Sequence, residues 1–257
     1  EIAVRCEPWQ ETLPGALEID TVALCGGSMS GAIVWALDST DIFSGWTEVR
    51  AVWNRGAHAT CQRFAETEQA LPCEIRAVDF DNGTEFLNAH FMAYFRDHQS
   101  AISLSRSRPY HKNDNAHIEQ KNYTHVRQLL GDDRFDDYEL VTPLNEILKL
   151  WSLWNNLYGA QRRLLKKVRG AHGKVKRYHE KKAATPWARL MKHADLTASQ
   201  RDHLVRMRAE HDPINLARTI ERRMKALYKR RAELERQRLE IEEEFESIKP
   251  LKLAKKM

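Results

Sequence analysis

Three short runs rich in β-branched and aromatic residues, LEIDTVAL (17–24), GAIVWALDST (31–40) and GWTEVRAV (45–52), follow one another across the links CGGSMSG and DIFSG. Links of this length join antiparallel neighbours and are too short for the crossover of about a dozen residues that a parallel pair needs. The chain then changes rhythm. AHATCQRFAETEQALP (57–72) has helical spacing and stops at Pro72, and CEIRAVDF (73–80) reads as a strand ending at the Asn82-Gly83 turn. TEFLNAHFMAYFRDH (84–98) is an amphipathic helix and AISLS (101–105) a short strand. DNAHIEQKNYTHVRQLLG (114–131) is a further helix, with Asn113 or Asp114 as its cap and Gly131 as its end. Three meandering strands followed by helix, strand, helix, strand and helix are the order of an α/β domain with a mixed five-stranded sheet flanked by helices.

Beyond this unit, LVTPLNEILKLWSLWNNLYG (140–159) carries Leu, Ile and Trp at helical spacing, and Trp151 and Trp154 are expected in the core. From about residue 213 the chain is helical. Ile220, Leu227, Leu234, Ile241 and Ile248 recur every seventh position, with Met224, Arg231, Arg238 and Phe245 between them. This is a short heptad seam interrupted by two arginines, open either to packing on the body or to dimerisation. The expected organisation is a linker over 1–16 from a missing N-terminal region, a core over 17–160, a basic segment over 161–192 and a helical region over 193–257. The start EIAVRCEPW has neither Met nor the zones of a signal peptide, so the chain reads as a piece of something longer. No apolar run reaches the roughly 20 residues of a membrane helix. The four cysteines lack CxxC or CxxH spacing, which gives no zinc framework or disulfide scaffold and suggests buried thiols in a reducing compartment.

Charge is unevenly placed. Residues 1–161 have a net charge of −10, residues 162–192 of +11 and residues 193–257 of +4. An acidic body with a basic belt suggests a core that holds cations and takes its polyanion affinity from an appendage. The belt has no clear periodicity, and a small β module and an arm that orders on a partner both fit it.

Three acids in the body are out of place. Asp20 lies in the middle of the first strand, where β-propensity disfavours it. Asp81 closes a strand beside the Asn82-Gly83 turn, and Asp79, two positions earlier, is its nearest competitor. On a wheel of about 100° per residue with Ile118 at zero, Leu129, Val126 and Leu130 define an apolar arc from about 20° to 120°, and Glu119 near 100° falls inside it. A carboxylate aimed at a core needs a cation or a proton. The three make sense jointly if they converge on divalent cations, and hard oxygen ligands favour Mg²⁺ or Mn²⁺.

EIDTV around Asp20, DNGTEF from Asp81 and SRPYHKNDNAHIEQKN leading into Glu119 resemble the three acidic blocks of DDE-type integrase cores, and most closely those of bacterial insertion-sequence transposases. The resemblance covers roughly residues 17–160. The 37 residues between Asp81 and Glu119 slightly exceed the family's usual spacing, implying a small loop insertion. It implies a ribonuclease H-like sheet and a transposase or integrase that cleaves and joins DNA strands at insertion-sequence ends. Asp20, Asp81 and Glu119 would then be catalytic, holding two Mg²⁺ or Mn²⁺ ions, with Asp20 shared between them. It also implies double-stranded DNA as partner, a homo-oligomer on that DNA, no membrane, and a bacterial cytoplasmic location on the nucleoid. Candidate DNA contacts are Arg108, Tyr110, Lys112, Lys121 and Arg127 around the acidic helix, and Arg162, Arg163, Lys166, Lys167, Arg169, Lys174, Lys176 and Arg177 in the belt. His111, His117 and His125 lack metal-ligand spacing and are expected in surface or loop roles. The alternatives are a structure-specific nuclease of the same fold and a non-catalytic DNA-binding protein of transposase descent.

Overall fold

The computed structural model describes residues 2–5, 11–108, 116–170, 174–194 and 196–254, with side chains left out at 116–117, 165–167, 169, 175 and 248–254. Its centre is a mixed sheet of β1 (Ala3–Val4), β2 (Ala16–Ala23), β3 (Val34–Asp41), β4 (Thr47–Trp53), β5 (Ala77–Phe80) and β6 (Ser103–Arg106), ordered β1-β6-β5-β2-β3-β4. The pairs β2–β3 and β3–β4 are antiparallel, as their short links require, while β2–β5, β5–β6 and β1–β6 are parallel. The sheet thus has six strands where the sequence suggests five. The sixth, two residues long, carries no apolar pattern of its own and is made by pairing Ala3 and Val4 with Ser105 and Arg106.

Alternation along the strands gives the sheet two different faces. Leu17, Ile19, Leu37, Val52, Val78 and Phe80 pack with Phe64 of α1 (Ala57–Ala70) and with Phe91 and Phe95 of α2 (Ala89–Arg96). On the other face, Val22, Ala36, Val49 and Ala51 meet α5 (Val141–Tyr158) and the end of the acidic helix. That helix runs as α3 (Ala116–Lys121), a π-helical segment (Asn122–Arg127) and α4 (Gln128–Leu130).

Helix α5 also closes the exposed edge of β4. Asn145 exchanges two hydrogen bonds with the Ala51 backbone (2.8 and 3.0 Å), Ser152 accepts from Val49 N (3.1 Å), and Asn156 exchanges two with Thr47 (2.9 Å each). Buried amides on one helix face thereby satisfy strand groups that would otherwise be an edge open to pairing. Trp151 and Trp154 stack at 5.6 Å against this core, as the spacing suggests.

The basic segment forms the hairpin β7 (Leu164–Arg169) and β8 (Val175–His179), followed by α6 (Pro186–Met191) and α7 (Ala198–Glu210). Helix α8 (Pro213–Ala254) lays Ile220, Leu227 and Leu234 on the body. The two arginines that interrupt its seam have partners there. Arg231 meets Asp133 at 3.0 Å and Arg238 meets Asp136 at 2.8 Å. The front of the seam therefore packs back on the body, whereas Ile241 farther along is exposed. Ile248 lies among the residues whose side chains are not described. No helix among the described residues is long and apolar enough to cross a membrane.

Candidate functional site

The polar face of the sheet is built on β2. Glu18 pairs in register with Asp79, and Ile19 with Phe80, so Asp20 and Asp81 stand side by side one step past the last paired residues, where β5 ends. Asp38 of β3 lies directly across from Asp20. Strand alternation thus collects Glu18, Asp20, Asp38, Asp79 and Asp81 on one face.

Two of these acids have structural partners. Asp79 accepts a hydrogen bond from Arg5 Nη2 (2.8 Å) and one from the Ser105 hydroxyl. Glu18 accepts from the backbone N–H of Ile118 (3.0 Å), a free donor in the first turn of α3. A carboxylate buried in β2 therefore sets where the helix carrying Glu119 begins. The pairing of Asp79 with Arg5 leaves Asp81 as the acid facing the turn.

Asp20 is held from both sides. Its Oδ1 accepts from Thr21 N (2.7 Å) and its Oδ2 from Asn122 Nδ2 (2.8 Å). Burial, reinforced by the charges of Asp81 and Glu85 and opposed by the Asn122 and Thr21 bonds, pushes its carboxyl up to about 6. Asp81 is also raised, first by burial and then by Glu85, against the pull of the Gly83 N–H on its Oδ1 (2.8 Å).

Glu119 is exposed on α3, one helical turn before Asn122. The sequence wheel puts it in the apolar arc, and the π-helical segment explains the difference. Each i→i+5 turn takes up an additional residue, so Val126 and Leu130 slip back into line with Ile118 and leave Glu119 outside. Among the described residues, no three His, Cys, Asp or Glu side chains stand close enough together to enclose an ion.

The same helix departs from expectation at Lys121, a candidate DNA contact on its outer side. Lys121 is buried, and its Nζ donates to Gly45 O and to Gln161 Oε1, both at 2.9 Å. It therefore faces inward, beside Asp38, and not toward a surface ligand. Burial lowers its ammonium to about 7 despite the opposing charge of Asp38, and Arg189 lowers it further. Asp38 is in turn raised by burial, and its Oδ2 has no hydrogen-bond partner. His125, expected at the surface, is buried too, with Nε2 unpartnered, and burial holds it well below the usual imidazole range.

Arg127 clamps the end of β2 through Ala23 O (2.9 Å). Arg108 is half-buried, while Tyr110, Lys112 and His111 lie outside the described residues, as does the side chain of His117. In the hairpin, Lys174, Lys176 and Arg177 are exposed, and Arg162 is exposed beside Glu180 O. Arg163 serves the hairpin itself, donating to Glu180 Oε1 (2.9 Å). The side chains of Lys166, Lys167 and Arg169 on β7 fall outside the description. Arg189 joins Ser44 O (3.0 Å) to Glu180 (2.6 Å), so the neck of the hairpin and Lys121 share one buried polar network.

Sequence reasoning missed Glu85, the acid that the fold adds to Asp20 and Asp81. It is 2% exposed, and its Oε1 accepts from Thr21 Oγ1 (2.8 Å) and Arg55 Nη1 (3.0 Å). Arg55 arrives there from a turn after β4 in which both Asn54 (φ 54°) and Arg55 (φ 52°) are left-handed, a conformation rare outside glycine. The sequence signal was present in DNGTEF, as a second acid four residues from Asp81 just past the Asn82-Gly83 turn.

No family model matches the chain. A curated relative, the "Uncharacterized protein y4rM" of Sinorhizobium fredii (strain NBRC 101917 / NGR234), is 36% identical over 171 residues, 66% of this chain. The chain spans about half of that relative's length, 48%. A solved structure, the cryoEM structure of a simian T-cell lymphotropic virus intasome in complex with PP2A regulatory subunit B56 gamma, aligns over 76% of this chain and 60% of its own. The TM-score is 0.49 and the identity 16%.

Proposed function

We propose that the chain carries the core of a DNA strand-cleaving and strand-joining enzyme of the DDE integrase type, on a ribonuclease H-like sheet, with Asp20 and Asp81 at its centre. The observation that carries this reading is the meeting of two half-buried acids at the end of β5. Asp20 is raised to about 6, mainly by burial, and lies within the electrostatic reach of Asp81. Ordinary folding gives no reason to place like charges there, and catalytic sites commonly hold perturbed acids of this kind. The three sequence blocks that resemble integrase cores point to the same two residues.

The donor set consists of hard carboxylate oxygens, which suit Mg²⁺ or Mn²⁺ in donor type although the acids do not form a closed cage. Asp20 and Asp81 would hold such an ion, with Glu119 joining by rotation of its side chain from the helix. The ion would supply positive charge to an in-line displacement at phosphorus. The chain's own part is orientation: Asn122 fixes the Asp20 carboxylate, and Glu18 fixes the start of α3. Lys174, Lys176 and Arg177 on the hairpin would gather the duplex through its phosphates. In this reading the protein acts as an oligomer on double-stranded DNA.

The test is an assay with Mn²⁺ on a labelled duplex bearing a free 3′-hydroxyl end. Joined product that disappears in Asp20→Asn and Asp81→Asn supports strand transfer. Nicking without joining selects the nuclease alternative. Near wild-type activity in either variant refutes the assignment.

A further inference from the structure

Glu85 has one carboxylate oxygen fully committed and the other without a partner. Oε1 takes both available donors, Thr21 Oγ1 at 2.8 Å and Arg55 Nη1 at 3.0 Å. Oε2 is buried and accepts no hydrogen bond. Leaving a buried charged acceptor unmatched is costly, and native structures keep such atoms where something else satisfies them.

The direction of the orphan oxygen is defined by Gly83. A Cβ built on that glycine would lie 2.5 Å from Glu85 Oε2 and 2.8 Å from Asp81 Oδ1. The two oxygens of different acids therefore converge over one glycine, whose lack of a side chain lets both approach it. Glu85 also acts electrostatically on both Asp20 and Asp81. Asp81 and Glu85 thus converge near one half-exposed guanidinium, that of Arg55, with Asp20 in electrostatic reach but not closing a cage of three side chains among the described residues. A divalent cation answers both the excess of negative charge and the orphan oxygen.

We propose that Glu85 is a metal ligand of the Asp20–Asp81 site, offering Oε2 to a divalent cation while Thr21 and Arg55 hold Oε1. The inference rests on the metal-dependent reading given above and adds to it. In the folded chain Glu85 is built in beside the two aspartates, whereas Glu119 stands exposed on a helix.

Mn²⁺ binding to the full chain, followed by loss of the free-ion electron paramagnetic resonance signal, tests this without reference to activity. Glu85→Gln keeps an acceptor for Thr21 and Arg55 and replaces only the orphan oxygen. The expected result is a fall in Mn²⁺ affinity of at least roughly 10- to 100-fold, the range seen even for residues that merely support a ligand. Thermal unfolding should show Glu85→Gln as stable as wild type without Mn²⁺, and lacking the rise that Mn²⁺ gives wild type. Gly83→Ala, whose methyl would displace both oxygens, should weaken Mn²⁺ binding in the same way and covers the case in which Glu85→Gln does not fold. Undiminished binding in both variants, alongside loss in Asp81→Asn, overturns the role of Glu85 and leaves the metal site standing. Absence of Mn²⁺ binding by wild type overturns both.

Discussion

On one face of the central sheet Leu17, Ile19, Leu37, Val78 and Phe80 meet a cluster of phenylalanine rings. On the other, the intervening residues of the same strands are Glu18, Asp20, Asp38 and Asp79. Both faces are buried, and they differ in what lines them. The aromatic face brings Phe91 within 5.2 to 6.2 Å of Phe64, Phe80, Phe86 and Phe95, and every ring is satisfied by contact. The acidic face leaves an oxygen of Asp38 and a nitrogen of His125 without partners. The same backbone thus supports a face that stabilises the fold and a face that gives up stability to hold charge, as strained or underpaired sites commonly do.

The comparison is broken most strongly on the aromatic side. Phe91→Ala removes a fully buried ring from the centre of the cluster and is expected to cost about 3–5 kcal/mol, measured by urea unfolding. A loss below about 1 kcal/mol would mean that this face is not the stabilising one. On the acidic side the order reverses. Asp20→Asn should lower DNA cleavage by roughly 10²- to 10³-fold, the scale of removing one preorganised transition-state contact. It should also stabilise the metal-free protein. Because the folded carboxyl of Asp20 is raised from 3.8 to about 6, the native state binds more protons across that window, and stability falls as pH rises through it. Asn at position 20 should remove this part of the slope in unfolding measured at several pH values.

Lys121 sharpens the contrast from beneath the acidic face. Its folded-state value of about 7 lies below the ordinary 10.5, so the unfolded chain holds more protons between the two and stability rises with pH over that interval. Lys121→Met should abolish that rise and destabilise the fold by about 3 kcal/mol, because it leaves Asp38 buried without a cation and Gly45 O without its donor. Adding Asp38→Asn should recover part of the loss. In the hairpin, Lys176→Ala and Arg177→Ala should each reduce the salt dependence of duplex binding by about one unit of slope, with folding unchanged. The smallest effect belongs to Arg238→Ala, which removes a pair whose arginine is 42% exposed and should cost about 0.2–1 kcal/mol. Hydrogen bonding from Arg238, with help from Arg134, holds Asp136 at about 2. Its contribution is therefore complete above the ordinary 3.8 and fades as pH falls from there toward 2.

Much of the fold was legible in the residues themselves. The antiparallel meander followed from links too short for a crossover, and Pro72, Asn82-Gly83 and Gly131 marked ends near those observed. Asp20 stood out as an acid inside a strand and Asp81 as an acid at a strand end, and the parallel register of β2 and β5 brings them together. The basic segment was legible as charge but not as shape, because its Lys and Arg residues conceal the alternation of a hairpin. Glu119 and Lys121 were misplaced on the wheel for a physical reason: a uniform 100° step fails across a π-helical turn.

What the sequence determined alone was the order of strands and helices, the concentration of charge in one segment, and the two aspartates that local propensity could not explain. Tertiary structure decided which acids face one another, that Glu85 joins Asp20 and Asp81, that Asp79 belongs to Arg5, and that Lys121 and His125 lie inside. Periodicity records which side of its own element a residue occupies. It carries no record of what a neighbouring strand places opposite, and the burial of a charge depends on that neighbour.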